Sequence, residues 1–190
     1  MEDIKFEEVQ SLLDSGKQPE EVLDWVGSIS YGFGVVQLNE KWNYLDKNNK
    51  LLSNTWFDYC SYFDDGGVAK IGLNGKGNYI KLDGKLLSKI WFDKCCYFRN
   101  GFGIIELNGK QNYIKPDGTL LSDTWFDWCW GFEEGFAVVQ LDGKQNYIKL
   151  NGTLLSSTWF DSCYKFEEGL AKVELDGKEY KIDEDGKVSI

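Results

Sequence analysis

The motif Trp-Phe-Asp-x-Cys occurs four times in this chain, beginning at Trp56, Trp91, Trp125 and Trp159, with spacings of 35, 34 and 34 residues. Each copy keeps a fixed distance from a Gly-x-Leu-Leu-Ser segment, with Asn49 in place of the glycine in the first copy, and from a segment of the type Gly-Lys-x-Asn-Tyr-Ile. A constant period of this length marks a repeat architecture, in which a unit buries its apolar face only against its neighbours. The fold must therefore be read one unit at a time.

Within a unit the strands are legible. After a turn glycine (Gly32, Gly67, Gly101, Gly135, Gly169) comes a six-residue alternation. Its second position is small (Gly34, Ala69, Gly103, Ala137, Ala171). Its fourth is β-branched (Val36, Ile71, Ile105, Val139, Val173), and its sixth is leucine (Leu38, Leu73, Leu107, Leu141, Leu175). Period-two alternation predicts a strand with this constant set facing inward. Asn74-Gly75, Asn108-Gly109, Asp142-Gly143 and Asp176-Gly177 follow as tight hairpin turns. The returning strand carries Asn-Tyr-Ile. A second turn at Asp83-Gly84, Asp117-Gly118, Asn151-Gly152 and Asp185-Gly186 leads to Leu-Leu-Ser, read as a short third strand before the Trp-Phe-Asp-x-Cys corner. The 8 Trp, 10 Tyr, 12 Phe and 21 Gly, against 2 Pro, suit short strands joined by tight turns.

Residues 2–26 read as helical. Phe6, Val9 and Leu13 recur at helical spacing, Ser15-Gly16 stops the first helix, and Pro19 with Glu20 and Glu21 suits the first turn of a second. Leu23-Asp24-Trp25-Val26 aligns with Phe126-Asp127-Trp128-Cys129, so the helices lead into a degenerate corner. The domain plan is a helical N-terminal cap at 1–26 and a β-repeat array at 27–190. The fold class is an all-β tandem repeat of about five 34-residue units, each of three short antiparallel strands, with that helical cap. An open β-solenoid is favoured, with a closed five-unit, propeller-like ring as the alternative. Tyr180-Lys181 replaces Asn-Tyr in the last unit, as a wettable terminal face requires.

The pattern Gly-Phe-Ala-x-Val-x-Leu-x-Gly-Lys-x-Asn-Tyr-Ile, then Gly-x-Leu-Leu-Ser and Trp-Phe-Asp, resembles the bacterial WG-repeat proteins over roughly residues 22–190. The Trp-Gly pair that names the family is replaced here by Trp42-Asn43, Gly77-Asn78, Gln111-Asn112 and Gln145-Asn146. The resemblance implies a tandem β-repeat protein of bacterial or phage origin with no established enzymatic activity.

The residues themselves offer little chemistry. Histidine, the commonest general base, is absent. The column Asp58, Asp93, Asp127 and Asp161 is read as accepting backbone N–H bonds in turns rather than as a row of acids. Asp183-Glu184-Asp185-Gly186 lacks the later glutamate of a calcium loop. One cysteine per corner (Cys60, Cys95, Cys129, Cys163) fits a buried apolar role better than a disulfide or metal framework, and Cys96 stands off the column. No catalytic residue, metal or cofactor is therefore expected. The net charge is −10, and eight of the 31 acidic residues fall within the first 28 positions. With no basic stripe, nucleic acid is not an expected partner. No apolar run reaches the ~18–20 residues of a membrane helix. The acidic start Met1-Glu2-Asp3-Ile4-Lys5 lacks the regions of a signal peptide. A cytoplasmic location is expected.

Positions shared by all units are explained by packing, and the Trp-Phe-Asp-Cys column, tryptophan included, is expected to be core, so function is sought where the units differ. The residue before the column cysteine is Tyr59, Lys94, Trp128 or Ser162, and the residue after it is Ser61, Cys96, Trp130 or Tyr164. Trp128 and Trp130 flank Cys129 and, in an extended segment, share one face. They form the centre of the candidate binding patch, with Tyr59, Tyr62, Tyr97, Tyr164 and Trp42 as further non-repeating aromatics. The expected function is a non-enzymatic binding or scaffold module acting on a protein partner. The alternatives are glycan binding and a phage or mobile-element inhibitor of a host protein.

Overall fold

A computed structural model describes residues 5–190. Its strands form five small antiparallel sheets of three or four strands, each with a linear pairing order. Two compact units divide the chain, Met1–Tyr97 and Phe98–Ile190.

The first unit opens with α1 (Phe6–Asp14) and α2 (Pro19–Val22). Two sheets follow, β1 (Trp25–Ser30), β2 (Phe33–Leu38), β3 (Lys41–Asp46) and then β4 (Tyr59–Cys60), β5 (Val68–Leu73), β6 (Lys76–Lys81). The short β7 (Lys94–Cys95) is its last strand. The second unit contains the hairpin β8 (Gly103–Leu107) and β9 (Lys110–Ile114), then β10 (Trp128–Cys129), β11 (Phe136–Leu141) and β12 (Lys144–Lys149). Its final sheet is β13 (Ser162–Glu167), β14 (Leu170–Leu175), β15 (Lys178–Asp183) and β16 (Val188–Ser189).

Turn chemistry builds the hairpins as the sequence predicts. Asn74, Asn108, Asp142 and Asp176 have φ of 51–53°, and the glycines after them have φ of 71–78°. Both central residues of such a turn need positive φ, which Asn-Gly and Asp-Gly supply with little strain. At the second turn, Gly152 has a further reason to lack a side chain. A Cβ there would lie 2.0 Å from the carbonyl oxygen of Leu121 in the preceding repeat.

The constant valine or isoleucine of β2, β5, β8, β11 and β14 is fully buried, and the small residue two positions earlier is buried too. The constant leucine is only half-buried, because it closes the strand beside the exposed turn. The opposite face is buried as well, through the tyrosine of Asn-Tyr-Ile, which is at most 1% exposed in four repeats. Tyr44 packs with Cys60, Ala69 and Ile71 of the next sheet, Tyr113 with Cys129, Ala137 and Val139, and Tyr147 with Phe166, Ala171 and Val173. Within each unit one face of a sheet thus forms the floor under the next. At the start of the first unit a helix takes this role, as Val9 and Leu13 of α1 cover Val36, Leu45, Leu51 and Trp56. Gln10 completes the joint by donating to Asn49 O and accepting from Leu51 N. In the last sheet Lys181 replaces the buried tyrosine and is exposed.

Polar groups fix each corner. Asn112, fully buried, donates from Nδ2 to the carbonyls of Ser122 (2.8 Å) and Thr124 (3.1 Å), and its Oδ1 accepts from Tyr113 N. Asn43, Asn78 and Asn146 make the same three bonds. The neighbouring tyrosine hydroxyl donates to the carbonyl of the residue after the column cysteine: Tyr44 to Ser61, Tyr79 to Cys96, Tyr113 to Trp130, Tyr147 to Tyr164. Buried polar groups cost free energy unless paired, and these are paired.

Three expectations are corrected. The third strand is the segment at the column-cysteine position, two residues long at β4, β7 and β10 and six at β1 and β13, and only the last sheet adds a strand, β16, at the position of Leu-Leu-Ser. Leu-Leu-Ser itself makes a single bridge per repeat, such as Ile114 with Leu120, because its serine hydroxyl and carbonyls are taken by a local turn and by the asparagine. The tryptophan column is not uniformly core. Trp56 is buried, whereas Trp91, Trp125 and Trp159 are half-buried, and the fully enclosed ring is the next residue, Phe57, Phe92, Phe126 or Phe160. That phenylalanine exchanges backbone bonds with the second strand, as Phe126 does with Gln111, which draws it inward. Finally, the second helix is one turn long and gives way to strand at Trp25, where Asp24 N already bonds Gln37 O. Residues 2–4 of the predicted helix lie outside the described residues.

The aspartate column does accept turn N–H groups. Asp58, Asp127 and Asp161 take them from Asn74, Asp142 and Asp176 at 2.6–2.7 Å. Each also binds a lysine of the preceding hairpin, Lys41, Lys110 or Lys144, and Asp93 binds Lys76. The lysine bond, followed by the turn N–H, holds these carboxyls below the usual aspartate value.

Two outcomes follow for stability. Phe126→Ala is expected to cost about 3–5 kcal/mol in denaturant titration, and Trp125→Ala distinctly less. An equal or larger loss at Trp125 contradicts the burial order. Because the folded-state pKa values of Asp58, Asp127 and Asp161 are depressed, their contribution is complete above pH 3.8 and is lost as the pH falls through the lower folded values. Acid melting curves should show the loss, and Asp127→Asn combined with Asp161→Asn should flatten it.

Candidate functional site

Alternation within β10 decides where its side chains point. Trp128 lies opposite Gln140 and Cys129 opposite Val139. Cys129 packs inward with Val139 against Tyr113. The residues flanking it therefore turn outward, and Trp128 and Trp130 are 51% and 39% exposed. Their rings meet edge to face, with centroids 6.2 Å apart at 65°. The backbone beneath is fixed. Trp130 N donates to Val138 O at 3.0 Å, and its carbonyl accepts from the Tyr113 hydroxyl at 2.6 Å. The repeat thus holds a side-chain position rigidly while leaving its identity free.

Beside Trp130 opens a cavity of about 290 Å³. Phe136, Tyr147 and Phe166 form its aromatic wall, with Phe136 stacked on Phe166 at 4.4 Å and 21°. Glu133 and Lys165 add opposite charges, and Gln145 adds an amide. Cys163 also lines it, and burial pushes that thiol up to about 12 against the opposing effect of the Tyr147 hydroxyl. An aromatic recess with a few polar groups binds by shape and orientation.

The other predicted site residues fall into smaller groups. Tyr59 and Tyr97 meet through their hydroxyls, and the Lys70 ammonium lies 5.7 and 5.3 Å from their ring centres. Burial, then the bond to Tyr97, pushes the Tyr59 hydroxyl up to about 12. Tyr164 is exposed, lies under Lys172 at 4.6 Å and donates to Glu174, a bond that raises its pKa. Tyr62 is exposed. Trp42 is half-buried and meets Trp25 edge-on at 5.8 Å. Trp25 and Lys70 were not among the predicted site residues. Trp25 occupies the column position of Trp128, which the alignment of the degenerate corner already carried. Lys70 gave no signal without the cross-strand register.

Fold and site together define a tandem β-hairpin repeat protein with a constant packed frame and variable exposed positions. Residues 22–42, 79–110, 113–144 and 147–178 match the WG containing repeat, which is more than half of the chain. The chain belongs to this WG β-repeat family. No curated protein matches it in sequence. Among solved structures, Kluyveromyces lactis Hsv2p is 10% identical, with 86% of this chain and 62% of that one covered and a TM-score of 0.38. The WD40 domain of Neurospora crassa Pan2 is 11% identical, with 85% and 61% covered and a TM-score of 0.35. A protein of unknown function from Bacteroides caccae is 13% identical, with 86% and 78% covered and a TM-score of 0.30. The chain spans less than two thirds of the Hsv2p and Pan2 chains. Likenesses at these TM-scores assign it no activity. No helix among the described residues is long and apolar enough to cross a membrane.

Cysteine reactivity reports on this arrangement. Burial pushes the thiols of Cys60, Cys95, Cys129 and Cys163 up to about 12, and Cys96 alone is exposed. Thiolate is the reactive form, so one equivalent of a thiol reagent should label Cys96 first. Peptide mapping that found Cys60 or Cys129 labelled as fast would contradict the packing.

Proposed function

We propose that this chain is a non-enzymatic binding module that docks a partner protein on the Trp128–Trp130 patch. The partner inserts an apolar or aromatic side chain into the adjoining cavity. The observation that carries this reading is the pair of exposed indoles on a backbone pinned from both sides. Large rigid aromatics bury much area at small entropic cost, which suits a hot spot. The frame does not need them, since the equivalent positions hold Lys94 and Ser162, or Ser61 and Cys96. The edge-to-face rings offer no flat double platform, which favours a protein over a glycan.

Absence of catalysis and of a cofactor is part of the proposal. The sequence has no histidine, the column carboxylates are engaged by lysines and turn N–H groups, and burial disfavours thiolate formation at four of five cysteines. A bacterial or phage source and a cytoplasmic setting complete it, with inhibition of a host protein as one form that docking could take.

The test is affinity of the purified partner for the wild type and for Trp128→Ala combined with Trp130→Ala. A loss of at least tenfold, about 1.4 kcal/mol, is expected. A change under about twofold with unaltered folding contradicts the patch. Binding of a soluble oligosaccharide lost in the same variant would favour the glycan reading instead.

A further inference from the structure

A second site lies in the first unit, where one sheet lacks a pair of side chains that the other sheets carry. In every sheet the fifth residue of one strand faces a fixed partner on the next. The pairs are Gln37 with Trp42, Gly72 with Gly77, Glu106 with Gln111, Gln140 with Gln145, and Glu174 with Glu179. One sheet alone has no side chain at either position. Neither glycine has positive φ, so backbone conformation does not demand them. Paired glycines weaken a strand interior, and they permit close approach by something else. At Gly77 the close neighbour is Cys95, whose Sγ would lie 2.9 Å from a Cβ there; beside the pair lies a cavity of about 470 Å³, lined in part by Tyr59, Lys70, Lys94 and Cys95.

The final sheet shows what occupies this space when side chains are present. Lys172 holds the strand position of Lys70, and Glu174 and Glu179 hold those of Gly72 and Gly77. The Lys172 ammonium binds Glu179 at 2.6 Å and lies 3.7 Å from Glu174, over the ring of Tyr164. Lys70 keeps the aromatic half of this arrangement, with Tyr59 and Tyr97, and lacks the anionic half. Its aspartate neighbours are engaged elsewhere, Asp58 by Lys41 and Asp93 by Lys76. The same change removes a side-chain acceptor. Gln111 and Gln145 accept from Cys129 N and Cys163 N at 2.9 and 2.8 Å, whereas Gly77 has no amide to offer Cys95. Trp42 at the corresponding place in the first sheet shows that the position also accepts a flat ring.

We propose that the Gly72–Gly77 cavity binds a small organic acid, whose carboxylate lies against Lys70 where the glutamates lie against Lys172. An aromatic acid such as benzoate carries both the anion and a ring of suitable shape. The net charge of −10 opposes anions at long range but is screened beyond about 8 Å at physiological salt. Within the cavity three lysines, Lys70, Lys76 and Lys94, outnumber two carboxylates, Asp58 and Asp93.

The test titrates the full chain with benzoate, and separately with benzyl alcohol, while backbone amide shifts are followed by NMR. Saturable shifts with benzoate at Gly72, Gly77 and Cys95 are expected, and none with benzyl alcohol. Lys70→Met should abolish them and Lys172→Met should leave them unchanged. Gly72→Glu supplies an internal carboxylate and should also abolish binding. Its Cβ would meet only ordinary contact, 3.4 Å from the Tyr59 Cβ, so folding should survive. A blocked glutamate, N-acetylglutamate amide, distinguishes a partner's side chain from a free acid: binding tighter than benzoate overturns the free-acid assignment. No saturation by roughly 10 mM benzoate, ten times the ~1 mM Kd of a weak site, overturns the proposal. So does equal binding of benzyl alcohol, or persistence in Lys70→Met.

Discussion

A buried asparagine and the tyrosine beside it hold each of four repeats in shape. The asparagine closes the loop after the second strand by binding two of its carbonyls, and the tyrosine hydroxyl carries the chain across to the next corner. Neither residue could be replaced by a hydrocarbon of similar size without stranding carbonyl groups, at about 1–3 kcal/mol each. The loop in question has no regular hydrogen-bonding partner strand of its own. Its path depends on these side chains, and the corner phenylalanine can enter the core only because the loop delivers it there.

The same polar frame separates constant from variable positions. The tyrosine hydroxyl binds a backbone carbonyl, so it places no demand on the side chain of that residue. Ser61, Cys96, Trp130 and Tyr164 all satisfy it. The fold can therefore vary the residues beside each column cysteine at little cost in stability. Both proposed sites exploit such tolerance, one by adding indoles at Trp128 and Trp130 and one by removing side chains at Gly72 and Gly77. They lie in different compact units, so either can fail without the other.

Much of this was legible in the sequence because the determinants are local. Asn-Gly turns, strand alternation and the role of the aspartate column follow from chemistry within a few residues. Burial of tryptophan against phenylalanine was not legible, since it depends on which ring the adjacent strand draws inward. The third strand was misassigned for a similar reason: Leu-Leu-Ser has strand composition, but its bonding groups are taken by Asn112 and its counterparts. The exposure of Trp128 and Trp130 matches the face assigned from alternation. Gly72 and Gly77 broke columns that hold larger residues in other repeats, a visible signal whose meaning required knowing that they face each other.

The most direct measurement is native-state hydrogen exchange on Asn112→Ala beside the wild type. If the buried asparagine organises its corner, protection should fall first at Tyr113, Leu121 and Phe126, whose amides bond Asn112, Tyr113 O and Gln111 O. The amides of α1 should keep their wild-type protection. Unchanged protection at those three positions would contradict the account, as would a loss spread evenly over the whole chain.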